Sequence, residues 1–120
     1  FGLIHADLYP ENLLFKAGQA YPIDFEDVGY GYWMWDIAVA LCTWAWKPGW
    51  EVMRDAFYEG YAAIRTLPAE QWEMLDLFIA IQYATMLIWA SAFLKNDPMR
   101  ADEHGPWRDE SGERLLAYYD

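Results

Sequence analysis

At 120 residues the chain has room for one domain and a single core, not two independent domains, since domains typically run ~100–150 residues. Hydrophobic residues make up 56% and aromatics 19%, which excludes a disordered chain and leaves enough apolar surface to expect a partner lobe or subunit. Nineteen Asp and Glu against eight Lys and Arg give a net charge of −11, which argues against nucleic acid and anionic membrane as partners.

In chain order, the first feature is the polar stretch His5-Ala6-Asp7-Leu8-Tyr9-Pro10-Glu11-Asn12, only four residues in and with no initiator methionine before it. On that ground the chain reads as a piece of something longer. Leu13-Leu14-Phe15 and Tyr21-Pro22-Ile23-Asp24-Phe25 are short apolar runs around the polar connector Lys16-Ala17-Gly18-Gln19-Ala20, which predicts a β-hairpin. Pro22 confines the second strand to an edge or a strand start. Antiparallel pairing would bring Asn12 and Asp24, at the two ends of the hairpin, close together.

Val28-Gly29-Tyr30-Gly31-Tyr32 reads as a loop, and not as a phosphate-cradling G-x-G-x-x-G, because Met34 stands at the third glycine's place. Trp33 to Trp46 is apolar on nearly all sides apart from Asp36 and predicts a buried helix. A lone carboxylate there is costly unless it is paired or hydrogen-bonded. Cys42, the single cysteine, sits in this run and reads as a buried reduced thiol, which suits a cytoplasmic protein.

Lys47-Pro48-Gly49 breaks the helix, and Trp50 to Arg65 follows as an amphipathic one. After the Leu67-Pro68 break a further helix is expected from Pro68 to about Phe93. Within it Leu77 to Leu94 is an uncharged run of eighteen residues, long enough to raise a membrane span. Gln82, Thr85 and Ser91 inside the run favour a central core helix instead. Met99 to Asp120 reads as a polar loop ending in a short helix over Arg114 to Tyr119. The fold class expected is α+β, mostly α-helical, with an N-terminal loop and hairpin followed by a helical bundle.

The chemistry lies in the opening segment. Phosphoryl transfer needs the nucleophile placed in line and the charge on the phosphate oxygens neutralised. Asp7 is the candidate to orient an acceptor hydroxyl and take its proton, and Asn12 with Asp24 offers Mg²⁺ an amide oxygen and a carboxylate. Lys16 is the only basic residue near the motif, so phosphate charge would have to be met by metal ions and by residues outside the chain.

His5-x-Asp7-x-x-x-x-Asn12, then Ile23-Asp24-Phe25, then Gly31-x-x-x-x-Asp36-Ile37-Ala38 resembles the C-terminal lobe of the aminoglycoside phosphotransferase and choline kinase superfamily, whose fold is similar to that of protein kinases. The resemblance is dense from Gly2 to Ala38. It implies a small-molecule kinase using ATP and Mg²⁺, with Asp7 as catalytic base, Asn12 and Asp24 as magnesium ligands holding the nucleotide, and His5 supporting the catalytic loop. It also implies that Asp36 braces that loop and that the nucleotide-binding lobe is absent from this chain, which alone would not turn over ATP. Ala6 stands where many relatives have glycine, a mild change if the backbone there lies in an ordinary region. Glu26-Asp27 stands where protein kinases have glycine, which fits the small-molecule branch.

Two other classes compete. A metal-dependent phosphohydrolase would use His5, Asp7 and Asp24 as ligands, and a non-catalytic kinase-like module would bind without turnover. Six acidic residues between Asp97 and Glu113, with Trp107, Tyr118 and Tyr119, are a candidate surface for an amine-bearing hydroxyl acceptor, or else a solvated acidic loop. The expected partners are that small molecule and a missing lobe or second chain over the exposed apolar face, with neither nucleic acid nor membrane.

Overall fold

The computed structural model describes residues 1–117, and the helices and short antiparallel strands within it make an α+β, mostly helical chain. Two compact units divide it, Phe1–Ile79 and Ala80 onward.

In the first unit, β1 (Gly2–Ile4) pairs antiparallel with β4 (Gly29–Gly31), Leu3 opposite Tyr30. The second partner was expected to be loop. Glycine permits the pairing: a Cβ on Gly2 would lie 2.8 Å from Trp33 Nε1, and one on Gly31 would collide with the Ile4 side chain. Between these strands lies the hairpin, β2 (Leu13–Lys16) and β3 (Gln19–Pro22), with Leu13 opposite Pro22 and Lys16 opposite Gln19. Its connection is tighter than the connector read from sequence. Ala17 and Gly18 alone make the turn, both at positive φ (50° and 75°), the geometry that matches the strands' right-handed twist. Leu14, Phe15 and Tyr21 on the hairpin stay exposed.

α1 (Trp33–Cys42) is the buried helix, with Met34, Ile37, Val39, Leu41 and Cys42 all less than 5% exposed. It stops four residues short of Trp46, where turns take over and Trp46 itself adopts φ 57°. Burial pushes the Cys42 thiol up from 9.0 to about 12. α2 (Trp50–Ala62) starts after Gly49 at φ 87°, a left-handed conformation that suits glycine. The helix expected from Pro68 is interrupted: α3 (Ala69–Trp72) ends in a turn, and α4 runs from Leu75 to Asn96.

The stretch 69–96 is long and apolar enough to cross a membrane, with 22% of its apolar window buried. The central core helix expected there is therefore buried only along part of its surface, at Leu75, Ile79, Gln82, Tyr83 and Ala90, while Leu77, Ile81 and Ile88 are exposed. Thr85 turns its hydroxyl back to donate to the Ile81 carbonyl at 2.9 Å, which satisfies it without a partner helix.

In the second unit the polar loop read from Met99 up to the short helix expected at Arg114 is itself helical, and residues 114–116 of that expected helix are its C-terminal end. After a 3-10 turn at Pro98–Arg100, α5 spans Ala101–Leu116 and carries Pro106 inside its first half, where it removes one backbone donor but does not end the helix. His104, expected in that loop, is buried on α5 among Trp89, Phe93 and Trp107. Tyr118 and Tyr119 lie outside the described residues.

Candidate active site

The loop after β1 is folded back on itself before the hairpin begins. Tyr9 N–H donates to the Asp7 carbonyl and Asn12 N–H to the Tyr9 carbonyl, both at 2.9 Å, with Pro10 opening a single 3-10 turn over Pro10–Asn12. This turn brings Asn12 back onto Asp7. Asn12 Nδ2 donates to both the Asp7 carbonyl and Asp7 Oδ2, each at 2.8 Å. The amide nitrogen is thereby occupied, so the Asn12 Oδ1 remains an acceptor with lone pairs to offer.

The hairpin returns Asp24 to the same place. Ile23 N–H donates to the Asn12 carbonyl at 2.9 Å, so Asp24 comes one residue beyond that bond. Asp24 sits at φ 62°, a left-handed conformation that only Asn, Asp and Gly adopt with much ease. Burial raises the Asp7 carboxyl above the ordinary carboxylate range; the Asn12 hydrogen bond opposes this, while the charges of Asp27 and Asp24 add to it. Three carboxylates thus share one region, and no ion pair to Lys or Arg neutralises them among the described residues.

His5 is buried beneath the loop, its ring 4.7 Å from that of Phe25. His5 Nε2 lies 2.8 Å from the Ile23 carbonyl, which can only accept, so the proton sits on Nε2. Nδ1 then faces the Asp7 N–H at 3.4 Å, a long contact. The imidazole thus ties the Asp7 loop to the start of the Asp24 segment, and both its nitrogens are directed at backbone.

α1 holds the loop from the other side. Asp36 Oδ2 accepts from His5 N–H and Oδ1 from Ala6 N–H, each at 2.8 Å, and Trp35 Nε1 donates to the Ala6 carbonyl at 2.9 Å. Ala6 is at φ 71°. It is not in an ordinary backbone region, so replacing glycine there is a strained change rather than a mild one. An open cleft of about 460 Å³ adjoins this loop, lined by Ile4, Ala6, Asp27, Tyr32, Trp35 and Phe78.

His5, Asp7, Asn12, Asp24 and Asp36 therefore all fall within one local network. Trp35 joins it without having been named from sequence, and Asp27, noted there only as a departure from the protein-kinase pattern, joins it through its charge on Asp7; each acts across twenty or more residues, which only the folded chain brings together. The acidic stretch Asp97–Glu113 lies in the other unit, and part of its charge is met there. Arg100 pairs with Glu103 at 2.5 Å, Arg108 with Asp109 at 2.6 Å, and Arg114 with Glu110 at 3.5 Å.

Residues 1–75 match the family model described as "Phosphotransferase enzyme family". The chain is similar to the homoserine kinase of Neisseria meningitidis serogroup B, 39% identical over 74 residues covering 58% of this chain and 24% of that protein. It is also similar to the amicoumacin kinase of Bacillus subtilis, 38% identical over 48 residues covering 40% of this chain and 14% of that protein. The homoserine kinase of Sinorhizobium fredii aligns more widely, at 28% identity over 93% of this chain and 43% of that protein. The chain spans about a quarter of the length of the first of these relatives. No solved structure matches it. Because the family match spans well over half of the chain and carries every residue of the Asp7 network, the chain belongs to the phosphotransferase enzyme family.

Proposed function

We propose that these residues are the base-and-metal half of a small-molecule kinase, which transfers phosphate from ATP to an acceptor hydroxyl in the cytoplasm. The observation that carries this reading is the pair of hydrogen bonds from Asn12 Nδ2 to the Asp7 carbonyl and carboxylate, which aims the carboxylate and leaves Asn12 Oδ1 outside that pairing, as an acceptor able to serve as a ligand. Asp7, its basicity raised by burial and by neighbouring carboxylates, orients the acceptor hydroxyl and takes its proton as the oxygen attacks phosphorus. Activity then rises with pH as Asp7 loses its proton, at a pH above that of an ordinary aspartate.

Hard oxygen donors, with no imidazole among them, fit Mg²⁺, which takes one or two carboxylates and completes its shell with substrate phosphates and water. Asn12 Oδ1 and the Asp24 carboxylate would hold it, and when bound it neutralises charge on the transferring phosphate. His5 and Asp36 keep the loop in shape. The cleft beside Ala6 gives a small acceptor room near Asp7, and the homoserine kinase relatives make a hydroxyl-bearing amino acid such as homoserine the first acceptor to assay. With a net charge of −11, these residues need phosphate-binding cations from a nucleotide lobe outside this chain, and they do not turn over ATP alone.

A phosphohydrolase is disfavoured because the His5 ring is directed at backbone through both nitrogens. The test is turnover of the intact enzyme carrying Asp7→Asn or Asp24→Asn. Each is expected to lower kcat by roughly 10³-fold or more with the fold retained. Near wild-type turnover in either variant would sink the assignment.

A further inference from the structure

We propose that Trp35 is a positioning residue that sets the direction of Asp7 by clamping the peptide group joining Ala6 to Asp7. The proposal rests on the phosphotransferase reading of the Asp7 site.

The argument starts from which peptide groups of the loop are held, and by what. Asp36 accepts from the N–H groups of His5 and Ala6, so it fixes the two peptide planes that precede Ala6. Neither of those bonds reaches the next plane. That plane, whose carbonyl belongs to Ala6 and whose N–H belongs to Asp7, is held on its oxygen by Trp35 Nε1 at 2.9 Å and on its nitrogen only by the long 3.4 Å contact to His5 Nδ1. It is also the plane a strained residue controls, because Ala6 is at φ 71° and would relax if released. Rotation of this plane swings the Cα–Cβ bond of Asp7 and draws its carboxylate away from Asn12 Nδ2.

Among the described residues the indole N–H is thus the short hydrogen bond opposing relaxation at the step before the base, against the long contact from His5. The Trp35 ring also lines the cleft next to Ala6, so the group that aims Asp7 forms part of the wall an acceptor would meet. Asp36 keeps the loop in place, and Trp35 keeps the base pointed.

The experiment uses the intact enzyme with Trp35→Phe and, as a shape-preserving variant, Trp35 replaced by β-(3-benzothienyl)alanine, in which sulfur stands where the indole N–H was. Both are expected to lower kcat on the order of tenfold to a hundredfold, while in the shape-preserving variant, which keeps the cleft wall, KM for ATP and acceptor stays within about twofold. In both, the Asn12 side-chain amide protons, held by Asp7 in the wild type, should lose their protection from solvent exchange by NMR. A benzothienyl variant with wild-type kcat, or with Asn12 protection unchanged, overturns the proposal. Equal losses in kcat and melting temperature in both variants, with Asn12 protection retained, would assign Trp35 a packing role and overturn it too. A wild-type enzyme that transfers no phosphate from ATP defeats the functional reading instead, and the NMR contrast, which needs no turnover, tells the two failures apart.

Discussion

The loop from His5 to Asn12 and the helix from Ala101 to Leu116 are both rich in charged and polar groups, but they connect them over different distances. In the loop, the carboxylate of Asp36 accepts from backbone groups 30 and 31 residues away, and the indole of Trp35 reaches back 29. In α5 the pairs join Arg108 to Asp109 and Arg114 to Glu110, neighbours along one exposed helix, as Arg100 and Glu103 are at its start. A bond between distant segments fixes one against the other, whereas a pair along one helix restrains only two flexible side chains in water. Hydrogen bonds therefore define a geometry in the first region and merely decorate a surface in the second.

Substitutions can break this contrast. Asp36→Ala removes the acceptor of two part-buried N–H groups at once and is expected to cost about 2–4 kcal/mol of folding stability, read by denaturant unfolding. It should abolish turnover as well. A loss under half of that would mean that solvent satisfies the loop and that the clamp is not needed. Ala6→Gly sharpens the comparison in the opposite direction. It relieves a left-handed alanine and should stabilise by about 0.5–1 kcal/mol if the loop is as firmly fixed as its bonds imply. Destabilisation would show that Ala6 does not hold its positive φ in solution. The smallest effect belongs to Glu103→Gln, which breaks the exposed pair with Arg100 and should leave the melting temperature unchanged within error. A clear drop would show that the surface pairs do more than their exposure allows.

Much of the first region was legible in the sequence. The hairpin follows from two apolar runs around Ala17-Gly18, and the loop residues follow from their spacing. The β1–β4 pairing was not, because its strands are three residues long and its glycines read as a loop rather than as contact points for Trp33 and Ile4. Trp35 could not be found because an indole N–H has no sequence signature until the fold brings a carbonyl to it. The last turn of α5 was legible as the start of the short helix read from Arg114, but the rest was missed for the opposite reason: Gly105, Pro106 and Gly112 in an acidic context look like loop, yet their positions within the helix are tolerated. The break between α3 and α4 at Glu73-Met74 contains neither glycine nor proline, so propensity gave no warning of it.

The single cysteine adds a practical consequence. Cys42 lies near the C-terminal end of α1, the helix whose first turn carries Trp35 and Asp36, and it is 1% exposed with its thiol pushed up to about 12. At neutral pH a thiol-directed reagent can reach it only when α1 opens, so its alkylation rate is a built-in clock for the helix that clamps the Asp7 loop. Timing that reaction with and without nucleotide would report how tightly an occupied site closes its own scaffold.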